Sequence, residues 1–232
     1  MKTEYSDQIV KGLSKLAQKY SMHNIFYDYV KMFALAIQNS FTIHDEVWHQ
    51  RENEYLSVVK KYTKDEVQEL SKLLGLLVSA YGEEPDADVL GEIYMNCRMG
   101  NKYMEQFFTP YNVARMMAEM QLATCELKEP FSLCEPTCGS GVMIIAAANV
   151  LRSHDFNYQK YLEVTAQDLD WTCVYMTYIQ LSLLGIKAHV IQGNTLTEPV
   201  ITDPARIFTT PAYHPAFEMI NEMMQEMKEK IA

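Results

Sequence analysis

Phe131-Ser-Leu-Cys-Glu135-Pro-Thr-Cys-Gly139-Ser-Gly141-Val-Met-Ile-Ile-Ala-Ala-Ala148 reads as a short apolar strand that ends in an acidic residue and a Gly-x-Gly turn, then opens into an apolar helix. Gly139 and Gly141 let the backbone turn tightly and approach a ligand with no Cβ in the way. The helix that starts there aims its unpaired N–H groups at that ligand. Glu135, at the strand's carboxyl end, suits a hydroxyl-bearing or positive group and opposes a pyrophosphate. The loop therefore fits a zwitterionic or cationic nucleoside. A Gly-x-Gly after a strand is also a common structural turn, so the flanking sequence has to decide.

Tyr161-Leu-Glu-Val-Thr-Ala-Gln-Asp168-Leu169-Asp170 reads as a second strand ending in acidic residues. In doubly wound folds an acidic side chain at that point accepts hydrogen bonds from ribose hydroxyls. A helix is expected from Trp171 to Leu184, closed by Gly185 as a left-handed cap. Ala188 to Gln192 forms a third strand, and Gly193-Asn194-Thr195-Leu196 the loop after it. Strand, helix, strand, helix, strand is the rhythm of a parallel sheet with crossovers. Upstream, Ile25, Phe26, Tyr29, Phe33 and Ile37 repeat with helical period. Thr63-Lys-Asp-Glu66 is a capping box, and Gly82 to Asp88 is polar and turn-rich. The expected architecture is α/β: a helical N-terminal domain over 1–84, then a domain over 85–232 built on a mainly parallel sheet.

Composition narrows the function classes. With 30 acidic against 20 basic residues the net charge is −10, which argues against a solitary DNA binder, because Lys and Arg supply phosphate affinity. The absence of a long apolar run or signal peptide predicts a cytoplasmic protein with no membrane contact. Five cysteines, an odd number, predict reduced thiols. Cys134 and Cys138 lack two further ligands for a tetrahedral metal, so no metal site is expected.

Glu135-Pro136-Thr137-Cys138-Gly139-Ser140-Gly141 resembles the S-adenosylmethionine (SAM) loop of amino-directed DNA methyltransferases. Within them it is most similar to the modification subunit of type I restriction systems and its N6-adenine relatives. Asp88-Val-Leu-Gly-Glu-Ile-Tyr94 is similar to the segment that precedes the catalytic domain in that subunit. Gln106-Phe107-Phe108-Thr109-Pro110 resembles the family's Phe-Thr-Pro element, which touches the methionine end of SAM. Asn194 falls where the family usually has an Asp that reads the adenine amino group of SAM. The resemblance covers roughly residues 85 to 200 and implies a Rossmann-like SAM-dependent methyltransferase domain. It assigns SAM contact to Phe108, Thr109, Pro110, Glu135, Pro136, Thr137, Cys138, Gly139, Gly141, Asp168, Leu169 and Asn194. Plainer readings exist for some of these. Thr109 fits a helix N-cap with Pro110 at the first helical position, and Asn194 fits ordinary turn chemistry.

One departure bears on catalysis. Transferring members carry Asn/Asp-Pro-Pro-Tyr/Phe at the end of the fourth strand, to hold the amino group of an extruded adenine and stack on its ring. Here Thr210-Pro211-Ala212-Tyr213 occupies the expected place. Thr210, Pro211 and Tyr213 are thus the candidate catalytic residues, with a hydroxyl where the amide belongs. One amphipathic helix, His214 to about Lys230, is expected to follow, and the family's later strands have no counterpart. A shortened sheet that stops at its fourth strand would leave a bare edge, to be covered in a homodimer or a hetero-complex. The resemblance implies methyl transfer to adenine in DNA, reached together with a partner subunit. A SAM-binding subunit without transfer, and a structural dimer with no ligand, are the alternatives.

Overall fold

The N-terminal segment folds as helices whose starts are written in their caps. Helices α1 (Glu4–Leu16), α2 (Met22–Phe41), α3 (Trp48–Val59), α4 (Lys64–Glu83) and α5 (Val89–Arg98) follow one another. Ser21 caps α2 by accepting the Asn24 N–H at 3.2 Å. The expected box opens α4: Thr63 Oγ1 accepts from Glu66 N at 3.3 Å, and Glu66 Oε2 accepts from Thr63 N at 2.8 Å. Ile25, Phe26, Tyr29 and Phe33 are buried along α2, as their spacing predicts. The computed structural model describes residues 4–42, 45–98, 106–127, 129–215 and 217. The expected helix after His214 lies almost wholly outside them.

After α6 (Tyr111–Leu122) come β1 (Phe131–Glu135), α7 (Val142–Ser153), the single turn α8 (Tyr158–Tyr161), β2 (Leu162–Asp168), α9 (Trp171–Leu183), β3 (Lys187–Gln192) and β4 (Ile207–Thr209). Gly185, at φ +68°, terminates α9 in the left-handed conformation expected of it. The strand order is β1-β2-β3-β4. β1 and β2 pair in parallel with Leu133 opposite Val164, and β2 and β3 in parallel with Val164 opposite Ala188.

The order advances from β1 to β3 without reversing, so right-handed crossovers bring α7 and α9 to the same face. Burial agrees: Leu162, Val164, Ala166, Ala188, Val190 and Phe208 are buried, while Ser132, Cys134, Glu163 and Thr165 on the other face are exposed. Alternation of this kind marks a sheet covered on one side, whereas fully enclosed parallel strands are apolar throughout. Above α9 lies α2, with Tyr27 and Tyr175 at 6.0 Å between ring centroids. The core therefore runs from the sheet through α9 into the N-terminal helices.

The fourth strand exists, but it runs the other way. β4 pairs antiparallel with β3, Phe208 opposite Val190 and Thr209 opposite His189. A parallel return needs a crossover, usually a helix. Residues 193–206 include Gly193, Pro199 and Pro204 and form no α-helix. They fold back at once, braced by Arg206, which donates from Nε to the Gln192 carbonyl at 3.0 Å and pairs with Glu198 at 2.8 Å.

The bare edge expected at β4 is also corrected. Gln38 Oε1 accepts the Thr209 N–H at 3.1 Å, and Arg51 Nη2 donates to the carbonyls of Pro204 and Ile207 at 3.0 and 3.4 Å. Helices α2 and α3 thus dress that edge from within the chain. Among the described residues neither β1 nor β4 has a further strand on its outer side, and these side chains dress the β4 edge. No described helix is long and apolar enough to cross a membrane.

Candidate functional site

The ends of β1, β2 and β3 are tied into one cluster. Gly139 (φ +56°) and Gly141 (φ +93°) both take the left-handed conformation that L side chains avoid. A Cβ on Gly139 would stand 3.2 Å from the Phe108 ring, and one on Gly141 would stand 3.1 Å from Thr177 Oγ1. Both positions therefore need glycine for conformation, and a Cβ would in addition crowd Phe108 or Thr177. Gly141 is the N-cap of α7 and has no side chain to satisfy the first turn; the Ile144 N–H bonds to the Gly141 carbonyl, and the earlier N–H groups of that turn suit an acceptor from outside.

Asp168 is the knot. Its Oδ2 accepts the Gly139 N–H at 2.8 Å, its Oδ1 the Asp170 N–H at 3.0 Å, and its carbonyl the Gly193 N–H at 2.9 Å. Cys138 N donates to Gln167 O at 2.9 Å, and Thr195 Oγ1 donates to Pro136 O at 2.6 Å. Glu135 Oε1 accepts from Thr137 N at 3.3 Å. Asn194 Oδ1 accepts from Leu196 N at 3.0 Å, so its turn chemistry is present. Glu135 to Gly141, Asp168 and Asn194 are thus assembled at the carboxyl ends of the strands, with Leu169 exposed beside them. Burial pushes the Cys138 thiol up to about 12 and the Cys173 thiol up as well. Both sulfurs stay protonated near neutral pH and are poor nucleophiles.

The Phe-Thr-Pro element closes one side. Phe108 packs between Gly139 and Tyr94, whose ring centroid is 5.0 Å away. Gln106 Nε2 donates to Asp170 Oδ2 at 3.0 Å, and the Cys173 thiol donates to Gln106 Oε1 at 3.0 Å. Helix α6 starts one residue later than the sequence suggests. Pro110 is its N-cap, without a side-chain bond, so Thr109 does not cap it. Thr109 and Pro110 are instead exposed next to the loop.

Several site residues escaped the sequence reading. Thr177 Oγ1 donates to Gly139 O at 3.0 Å, Ser140 Oγ donates to Asp88 Oδ2 at 2.6 Å, and Gln180 Nε2 donates to Asp88 Oδ1 at 2.9 Å. Polar Thr177 and Gln180, three apart and buried in a mostly apolar helix, were the available signal. A cavity of about 890 Å³ lies on the helical side of Phe108 and Thr109, lined by Glu83, Asp86, Asp88, Glu92, Met95 and Arg152 among others. It does not include Glu135, Gly139 or Asp168.

Thr210, Pro211 and Tyr213 are not part of this cluster. Because β4 is antiparallel, they follow it to the amino end of β3, while the loop sits at the carboxyl ends. There Thr210 Oγ1 donates to Ile186 O at 2.7 Å and accepts from Ala188 N at 2.9 Å, and Thr210 N donates to Ala188 O at 2.9 Å. Thr210 is buried, and its hydroxyl serves the sheet. Tyr213 stacks on His189, ring centroids 4.7 Å apart and 15° between planes. Pro211 is buried beside them.

A strand ending in an acid, a double-glycine turn into a helix, and a second acid at the neighbouring strand make an α/β fold with a ligand-type loop at the carboxyl ends of its parallel strands. Among solved structures, the chain is similar to a Listeria monocytogenes protein assigned to the class I SAM-dependent methyltransferases. The TM-score is 0.51 at 11% identity, over 87% of this chain and 56% of that one. It is also similar to the methyltransferase subunit of a type I restriction-modification system from Streptococcus thermophilus, with TM-score 0.45 and 16% identity over 86% and 61% of the two chains. The chain thus spans little more than half the length of these neighbours. No curated protein matches it. The N-6 DNA methylase family model matches residues 85–229, more than half of the sequence. The chain belongs to the N-6 DNA methylase family.

Proposed function

We propose that the chain binds SAM at the Glu135–Gly141 loop and, by itself, holds no acceptor site for an adenine. The donor set supports the ligand. Glu135, Asp168 and Asp170 ring the loop with no described Lys or Arg bonded to them, which favours a zwitterionic, hydroxyl-rich nucleoside over a diphosphate. Glu135 and Asp168 would take hydroxyl or amino groups, Asn194 and Leu169 the base, and Phe108, Thr109 and Pro110 the methionine end. Bound SAM would supply a methyl group on a sulfonium. The observation that carries the second half is the antiparallel β4, which leaves Thr210 and Tyr213 at the opposite end of the sheet from the loop.

The chain then acts as the SAM-binding subunit of an assembly, with the uncovered β1 edge as the place for the partner. A second reading, methyl transfer to adenine in DNA once a partner supplies the acceptor site, is favoured by the family and by the intact Phe-Thr-Pro element. Calorimetric titration of SAM into the protein and into a Gly139→Asp/Gly141→Asp variant tests the ligand. Binding by the parent and none by the variant is expected. Labelled SAM with unmethylated genomic DNA should then yield no N6-methyladenine by nucleoside mass spectrometry. Product above the variant's level would replace the first reading by the second, and absence of SAM binding by the parent would sink both.

A further inference from the structure

The ligand loop is held from behind by a residue that lies outside the strand–helix–strand unit. We infer that Asp88, at the amino end of α5, is a positioning residue for the Gly139-Ser140-Gly141 turn. Its Oδ2 accepts from Ser140 Oγ at 2.6 Å, and its Oδ1 accepts from Gln180 Nε2 at 2.9 Å and from Gly91 N at 3.0 Å. Gln180 in turn donates to the Ser140 carbonyl and accepts from Leu90 N at 3.0 Å and from the Tyr81 hydroxyl. The same turn's Gly139 carbonyl is taken by Thr177. The Ser140 hydroxyl and the carbonyls of Ser140 and Gly139 are thus fixed by α9 or by Asp88.

Space around Asp88 is equally determined. A Cβ on Gly91 would lie 2.1 Å from its Oδ2, so α5 approaches the carboxylate more closely than any other residue would permit. The two left-handed glycines that flank Ser140 have no intrinsic preference for this geometry. Without the bond to Ser140 the turn keeps its backbone bonds to Asp168, Thr177 and Gln180, and its N–H groups tilt more readily off the ligand. A carboxylate accepting three donors is a strong anchor, because charge-assisted hydrogen bonds are shorter and stronger than neutral ones. The helical segment therefore sets the shape of the ligand loop.

For affinity, this inference rests on the proposed SAM site; for loop order, it does not. Hydrogen–deuterium exchange of the amides of residues 138–142, measured without ligand, is compared in the parent, Asp88→Ala and Asp88→Asn. The alanine variant should exchange this segment about tenfold faster while the amides of α2 keep their protection. The asparagine variant should stay close to the parent. Its Oδ1 still serves Gln180 and Gly91, and its amide can donate to the Ser140 hydroxyl, which accepts as well as donates. In parallel, SAM should bind Asp88→Ala about tenfold more weakly and Asp88→Asn within about threefold of the parent.

Unchanged exchange at the turn in Asp88→Ala, or equal loss in both variants, overturns the positioning role. A residue that only stabilised the fold would lower the melting temperature without singling out this segment. If Asp88→Ala fails to fold, Ser140→Ala removes the same bond from the other side, and it should reproduce the local exchange. If the parent does not bind SAM, the ligand reading falls, and the exchange arm still decides the role of Asp88.

Discussion

Thr210 shows how one residue's chemistry changes with the direction of its strand. In sequence it stands where an amide would meet a target base. In the fold its hydroxyl bridges Ile186 O and Ala188 N, at 2.7 and 2.9 Å, inside the sheet. Thr210→Val keeps the shape and strands both backbone groups in a buried place, so a loss of about 1–3 kcal/mol in urea unfolding is expected. Thr210→Asn restores the family's side chain at this position and should still give no N6-methyladenine, because the site lies at the wrong end of β3. Methylated adenine from Thr210→Asn, absent in the parent, would show that Thr210 does reach the transferred group.

The capping of β4 by α2 and α3 belongs to the scale of elements. A three-residue strand makes few ladder bonds, and its outer edge is completed by side chains from far upstream. Arg51 is buried, pairs with Asp45 at 2.7 Å, and lies 5.7 Å from the centroid of the Phe208 ring. Arg51→Ala should cost about 2–3 kcal/mol, since it uncouples Asp45 and leaves two carbonyls without their donor. Gln38→Ala, which removes one acceptor, should cost about 1 kcal/mol. Chemical denaturation measures both, and near-zero values would mean that β4 holds its place through β3 alone. The local signals at this scale were legible: the Thr63–Glu66 box, the Gly185 cap and the acid-ended strands β1 and β2 all depend on neighbours in sequence. The direction of β4 was not, because apolar alternation is the same for parallel and antiparallel partners and Arg51 and Gln38 carry no local mark. The Asp88–Ser140–Gln180 bonds were hidden for the same reason.

At the scale of the whole molecule, a boundary near Gly82 to Asp88 and the packing make opposite demands. The turn is polar, as a linker would be, yet Tyr81 reaches across to Gln180, and Arg152 pairs with Asp86. Phe26 and Tyr29 of α2 belong to the same buried cluster as Tyr178 and Ile179 of α9 and Ile145 of α7. The exposed sheet face contributes little apolar burial, so α9 depends on α2 for cover on its outer side. Heating should therefore give one cooperative transition, with calorimetric and van't Hoff enthalpies equal. Residues 85–232 produced alone should lose near-ultraviolet circular dichroism, because α9 would face water along its α2 side. Added SAM should raise that single transition, by about 2.7 kcal/mol at one hundred times its dissociation constant. Two separated transitions, only one of them moved by SAM, would instead make 1–84 an independent domain and confine the ligand's influence to the sheet. A single ligand-shifted transition would extend that influence through α9 to the N-terminal helices packed on it.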